Sequence, residues 1–363
     1  MSCTFGVFHL PTFDPALDGS PSEPYGRLRR LILLADELEF HSAWLAEHHF
    51  QAHGGILSAP DLWIASLAPM TSRIRFGLGV VQVPYHHPLA ITERIATLDH
   101  ITGGRLDVGL GRGFLKCEYD GFGISMDHSR ARFGEGVGII VEALRCGSIE
   151  RAGEHFTFPS LTVQPPCVQR PSPPLWIAAA ATPETYSWAG RNGFNLMVAP
   201  LLSPDPASLR EKIDAYYEAR AEAGLSPDAA QLMVNVHVHV AETAEAARAE
   251  ADQHLLHYVA ETKAAGSSAI ATFMRDGLPK DFAHYPALGR RWGTFTVDDA
   301  VEKSSVIIGD PDTCAERLAG VIVGMRCTTV VGMFDFGQPQ PQVESSMRLF
   351  AERVAPQLLV GSR

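Results

Sequence analysis

The sequence predicts one α/β domain folded as a closed (β/α)8 TIM barrel. Three observations carry this: eight short apolar runs rich in β-branched residues, helical periodicity between them, and an abrupt turn to polar residues or glycine where several runs end. The chain has 363 residues, 46% hydrophobic and 20% charged. That is enough to bury a large core, and α/β barrels often use this length as one domain.

Strands are expected at Thr4-Phe8, Ser42-Ala46, Ile74-Val80, Leu106-Gly109, Leu175-Ala179, Asn195-Ala199, Leu232-Val240 and Thr328-Met333. The segments between them place apolar residues on one helical face, as with Leu28, Leu31, Ile32, Ala35 and Leu38, or Ile91, Ile95, Leu98 and Ile101. Strand-helix alternation repeated this often favours a closed barrel over an open doubly wound sheet. Two stretches interrupt it. Residues 116–174 predict an inserted helix around Arg130-Cys146, a hairpin through His155-Phe156-Thr157-Phe158 and a proline-rich end. Residues 263–305 mix Gly, Ala, Ser, Arg and Pro without steady periodicity, and predict a mobile flap beside the barrel mouth.

Side chains at the carboxyl ends of parallel barrel strands converge on one mouth. Three such endings are Trp44-Leu45-Ala46-Glu47-His48-His49-Phe50, Gly77-Leu78-Gly79-Val80-Val81 and Leu106-Asp107-Val108-Gly109-Leu110-Gly111-Arg112-Gly113. They place Glu47, His48, His49 and Arg112 around a common pocket suited to an anionic cofactor. Alternation sends neighbouring side chains in opposite directions, so only one of the two histidines should face that pocket directly. A neutral imidazole can take a proton near pH 7, which makes His48 the candidate proton-handling group, with Glu47 orienting either ring. The plainer alternative is that these histidines fill a polar rim.

Arg112, flanked by glycines, lets backbone approach a ligand closely while the guanidinium grips phosphate oxygens through paired hydrogen bonds. After the fifth strand, Ala180-Ala181-Thr182-Pro183-Glu184-Thr185 reads as a helix start with threonine at the N-cap and proline at the first helical position. At a barrel mouth, free N–H groups and two hydroxyls also make a phosphate cradle. Asp310-Pro311-Asp312-Thr313 reads as an ordinary capped helix. Along the seventh expected strand, valines at 234, 236, 238 and 240 should face the helices, and Asn235, His237 and His239 the interior, with His239 nearest the mouth as a pocket wall. A zinc site using His237-Val238-His239 is the rival reading. The supporting carboxylate pattern is missing there, so no metal is expected. The six cysteines show no paired metal-type spacing and are too sparse for a disulfide framework; only Cys117 falls in an expected active-site loop.

These blocks resemble the bacterial luciferase-like family of flavin-dependent monooxygenases nearly end to end. The resemblance is carried by Trp44 through Phe50, Pro88 through Gly113, Leu175 through Gly193, Ile308-Gly309-Asp310-Pro311 and Ser346-Met347-Arg348-Leu349-Phe350. It implies FMN, used as FMNH2, at the carboxyl ends of the strands, with His48 as the catalytic histidine and Arg112 on the phosphate. Thr182 and Thr185 supply hydroxyls beside Ala181, Gly79-Val80 forms a cis peptide under the flavin ring, and Gly111 lies beside it. It also implies O2 as co-substrate, oxygen insertion through a flavin peroxide, and reduced flavin supplied by a separate NAD(P)H:flavin reductase. Gly111 stands where luciferase has a reactive cysteine, Ala181 where it has an acidic residue, and Ala199-Pro200 where it has a serine-tryptophan pair. These departures argue against light emission from a long-chain aldehyde. His49, Phe50, Phe114 and His239 are the expected walls for a small organic substrate. Phe8, Phe122, Trp63 and Trp176 are further aromatics of the same type, more often core.

A deazaflavin-dependent hydride transferase and a non-catalytic flavin-binding partner subunit remain alternatives. The family resemblance implies a dimer, expected here as a homodimer. The formal net charge of −11 opposes binding to nucleic acid or anionic lipid, and no apolar run reaches the roughly 20 residues that cross a bilayer. With no basic-then-apolar start, the protein is expected in the cytoplasm.

Overall fold

The expected runs do pair into a ring. In the computed structural model, which describes residues 3–15, 18–51, 53–203, 205–276, 282 and 295–360, the strands are β1 (Thr4–His9), β2 (Ser42–Leu45), β3 (Arg75–Gln82), β4 (Leu106–Gly111), β5 (Ser148–Ala152), β6 (Thr157–Thr162), β7 (Leu175–Ala178), β8 (Asn195–Val198), β9 (Leu232–Val240), β10 (Val306–Gly309) and β11 (Thr329–Met333). Parallel pairing runs β1-β2-β3-β4-β7-β8-β9-β11 and returns to β1, which closes the barrel. The eight expected strands are the eight members of this ring.

One strand escaped the sequence pattern. β10 adds to the carboxyl half of β9, from Val306 opposite His237 to Gly309 opposite Val240. Four residues beside a stretch of mixed composition give too short a signal for period-2 reading. The expected flap at 263–305 also differs in its described part. The helix Ala244–Asp276 continues into it, and a short helix Val297–Glu302 follows, capped by Thr296 accepting from the Asp299 N–H at 3.2 Å. Residues 277–281 and 283–294 of that stretch lie outside the described residues.

Between β4 and β7 the chain forms helices Lys116–Gly121 and Ser129–Cys146, and then the antiparallel β5–β6 hairpin. Gly147, in the left-handed region at φ 69°, ends the second helix and turns the chain into β5.

The main core lies between the ring and its helices. Val234, Val236, Val238 and Val240 are all buried there, as the alternation on β9 requires, together with Leu28, Leu31, Ile32, Ile91 and Ile95. Ile101 departs from its expected helical face and is exposed. Inside the barrel, Trp44, Trp176, Met197, Met233 and Val331 form a separate apolar plug, with Phe8 and Val80 packed onto it. The plug floors the mouth. Among the described residues no helix is long and apolar enough to cross a membrane.

Candidate active site

At the carboxyl ends of the strands lies a cavity of about 480 Å³, within the range of roughly 300–1,000 Å³ usual for cofactor and small-molecule sites. Phe8, Val80, Met197 and Met233 line its apolar side. Every residue expected to touch a cofactor lines it too: Gly79, Val80, Gly111, Arg112, Ala181, Thr182 and Thr185. So do the candidate catalytic residues Glu47 and His48.

The β3–β4 ladder slips between Leu78 and Val81, and the Gly79-Val80 peptide within that slip is cis. The slip sets Val80 against Gly111, where any added Cβ would overlap the Val80 side chain. Gly113, at φ 76°, lets the chain leave β4 and carry Arg112 along the cavity. The Arg112 guanidinium sits 4.3 Å from the ring centre of Phe282, and its carbonyl accepts from the Tyr119 hydroxyl.

Two helix starts that look alike in sequence behave differently. Asp310 caps its own helix, Pro311–Met325, accepting from the Thr313 N–H at 3.0 Å. Thr182 occupies the N-cap of Pro183–Arg191, but its side chain makes no capping bond. That helix therefore presents a first turn without a side-chain cap, beside the Thr182 and Thr185 hydroxyls, on the cavity wall.

Both histidines lie past Leu45, the end of β2. His48 faces the cavity, whereas His49 is buried outside its lining. The group that holds His48 is different from the one expected. Glu47 binds His49 and His86, with Oε1 3.1 Å and 2.8 Å from their Nε2 atoms. Burial alone would raise the Glu47 carboxyl, but the hydrogen bonds from the two imidazoles outweigh it and hold it below the ordinary value. His48 Nδ1 instead lies 2.9 Å from Oε1 of Glu118, which is wholly buried. The same oxygen accepts the His49 backbone N–H at 2.9 Å, and Oε2 accepts the Tyr85 hydroxyl at 3.0 Å. An ionised carboxylate only accepts, so this contact places the proton on Nδ1 and leaves Nε2 of a neutral His48 as its basic atom.

Of the expected substrate walls, only Phe114 lines the cavity. Phe50 is 61% exposed, with its ring tilted on Phe122 at 5.2 Å. A positive φ of 60° turns it off the strand direction that a mouth position requires. His239 is correctly on the inner face of β9 but is capped by the helix Ala244–Asp276, with Nε2 2.8 Å from Glu250 Oε2. Trp63 stacks on Tyr25 at 5.0 Å, and Trp176 meets Trp44 edge-on at 5.6 Å. Burial and the neighbouring Glu118 push the Cys117 thiol up, away from a reactive thiolate.

Several lining residues carried no sequence signal, namely Gln82, Arg130, Trp188 and Arg191, while Asn235, expected on the inner face of β9, lines the cavity as well. Gln82 donates to the Glu47 carbonyl at 2.6 Å, while its Oε1, like Asn235 Oδ1, is buried without a partner among the described residues. Buried acceptors left open on a cavity wall are places for ligand N–H groups.

A closed parallel barrel with a cavity at its carboxyl mouth, lined by an arginine, an uncapped helix start and an anchored histidine, defines a TIM-barrel protein with a candidate small-molecule site. The family model for luciferase-like monooxygenases matches residues 3–326, and the chain belongs to that family. It is 29% identical over 363 residues to 4-hydroxyprotoasukamycin monooxygenase of Streptomyces nodosus subsp. asukaensis, covering 97% of this chain and 91% of that one. To the oxygenase component of the flavin-dependent trigonelline monooxygenase of Acinetobacter baylyi it is 32% identical over 64% of each chain, somewhat less than two thirds of either. The crystal structure of the monooxygenase RslO1 from Streptomyces bottropensis superposes with a TM-score of 0.83 at 30% identity, covering 97% of this chain and 99% of that one.

Proposed function

We propose that this protein is the oxygenating component of a two-component flavin system. It takes up reduced FMN from a separate NAD(P)H:flavin reductase and uses O2 to place one oxygen atom on a small organic substrate. The observation that carries this reading is the convergence of Arg112, the uncapped helix start at Thr182 and the Glu118-held His48 on one cavity. The relative named as an oxygenase component supports the division of labour.

The residues present fit FMN. Arg112 and the hydroxyls of Thr182 and Thr185 suit a phosphate, and the open acceptors on Gln82 and Asn235 suit the N–H groups of an isoalloxazine. Gly111 and Gly79 leave the wall beside Val80 free of further side chains. When bound, reduced FMN supplies the electrons that activate O2. The chain does the rest. His48 takes up or releases a proton at Nε2 while Glu118 keeps the ring oriented, and Phe8, Val80, Met197 and Met233 keep water from the reacting side.

Anaerobic titration with photoreduced FMN tests the reading. We expect one equivalent per chain, and Arg112→Ala should weaken binding by about 10- to 100-fold, the loss of a charged hydrogen-bonded contact of roughly 1.5–3 kcal/mol. On admitting O2, the bound flavin should release hydrogen peroxide more slowly than free reduced FMN. Oxidation at the free-flavin rate, or turnover with a reduced deazaflavin under argon, would overturn it. The reading extends to a homodimer through the helices Pro60–Leu67 and Pro88–Ile101. Leu62 on the first and Ile101 on the second are exposed, at 69% and 45%. A monomeric mass by light scattering would reject that part.

A further inference from the structure

Behind the cavity wall, Glu47, His49 and His86 point one donor atom each at a common centre. Glu47 Oε1, His49 Nε2 and His86 Nε2 lie within 4.8 Å of one another, and the two contacts to the carboxylate are 3.1 Å and 2.8 Å. The side chains of Glu47 and His49 are 6% and 8% exposed, and that of His86 is 22% exposed. Zinc holds nitrogen and oxygen ligands at about 2.0–2.2 Å in a tetrahedron, which sets ligands roughly 3.3–3.6 Å apart. To admit such an ion the two carboxylate contacts need open by roughly 0.2–0.8 Å, and the two imidazole nitrogens come to the same spacing from within 4.8 Å.

A second observation supplies the remaining position. A small cavity of about 20 Å³ adjoins the cluster, lined by Glu47, Asp61, His86 and Arg94 together with apolar residues such as Leu78, Val81 and Ile95, enough for one water. Asp61 Oδ2 accepts from Arg94 Nε at 2.7 Å, whereas Asp61 Oδ1 is buried with no partner among the described residues. A buried carboxylate oxygen without a donor is costly, and a metal-bound water is a strong donor. The partly exposed edge of His86 gives the ion a way in.

We propose that Glu47, His49 and His86 form a binding site for one divalent cation of the zinc class, with a water hydrogen-bonded to Asp61 as the fourth ligand. The site is distinct from the flavin position, although Glu47 belongs to both walls. Binding requires both imidazoles to present Nε2 unprotonated. A cation there would lock the loop after β2, which carries His48, to the start of the helix Pro88–Ile101.

The test uses the full chain stripped with chelator and without flavin. Titration with Co2+ should produce the visible bands of tetrahedral cobalt, and Zn2+ should displace it at one equivalent. His86→Ala should abolish the bands and weaken Zn2+ binding by about 100-fold or more, and Asp61→Asn should weaken it by about 10- to 100-fold, as for groups that orient a bound ligand. His257→Ala, at a half-exposed histidine paired with Asp14, should change nothing. Thermal unfolding of the His86 variant establishes that it is folded, and Asp61→Asn provides an independent reading if it is not. Absence of cobalt bands in the unaltered protein, or Zn2+ binding undiminished by both substitutions, would overturn the proposal and leave a carboxylate hydrogen-bonded to two imidazoles. Failure of FMN to bind would leave this result untouched.

Discussion

Glu118→Ala removes a buried carboxylate that accepts from His48 Nδ1, the His49 N–H and the Tyr85 hydroxyl, at 2.9, 2.9 and 3.0 Å. Each hydrogen bond to a charged group contributes about 1.5–3 kcal/mol, but the three share one acceptor group and do not add independently. Breaking a buried charged network typically costs about 3–5 kcal/mol, and that is the loss expected here. Glu118→Gln is the informative companion. Its amide oxygen can keep the His48 and His49 contacts while the Tyr85 hydroxyl turns to accept from the amide, so the stability cost should fall to about 1–2 kcal/mol. What the glutamine cannot supply is the negative charge that steadies a protonated imidazole. Turnover should therefore fall by about 10- to 100-fold, part of the range that positioned acid-base groups contribute, while affinity for reduced FMN stays unchanged. Urea unfolding midpoints and single-turnover rates read the two effects separately. A Glu118→Ala variant as stable as the parent, or a Glu118→Gln variant of full activity, would refute the assigned anchoring role.

Gly111→Ala should destabilise by about 1–3 kcal/mol, because the new methyl overlaps Val80, and Val80→Ala in the same chain should restore most of the loss; melting of the double variant decides this. Acid should weaken the fold through buried histidines. Burial depresses His9 and His53 to about 4 and His237 to about 3, from 6.5. The unfolded chain thus takes up protons below pH 6.5 that the native state refuses, and stability falls as the pH drops from there toward 4. His237→Phe should lower the fitted proton uptake on unfolding by about one, and an unchanged slope would reject the assignment. Phe50→Ser should leave reduced-FMN affinity within about twofold, since its ring lies outside the cavity, and a tenfold loss would place it back at the site.

The sites legible in the chain were those at strand ends. Arg112, Thr182 and His48 each follow a strand whose boundaries periodicity reveals, so the barrel rule carries them to one mouth. Glu118 was invisible because Lys116-Cys117-Glu118-Tyr119-Asp120 has the composition of a solvated helical turn, and nothing local says that its middle carboxylate turns inward. His239 misled for a related reason. Its face was read correctly, but nothing local in the sequence says that Glu250, on the helix Ala244–Asp276 that follows, closes over its ring.

Taken alone, the chain determined the ring of strands, the direction of the β9 side chains and the set of polar groups delivered to the mouth, because each follows from period, caps and alternation over a few residues. Tertiary structure decided which carboxylate serves which histidine. Glu47 is one residue from His48 yet turns to His49 and to His86, which is 39 residues from Glu47, and His48 takes Glu118, 70 residues away. Hydrogen-bond partners are chosen by distance and direction in the folded barrel, and sequence separation records neither.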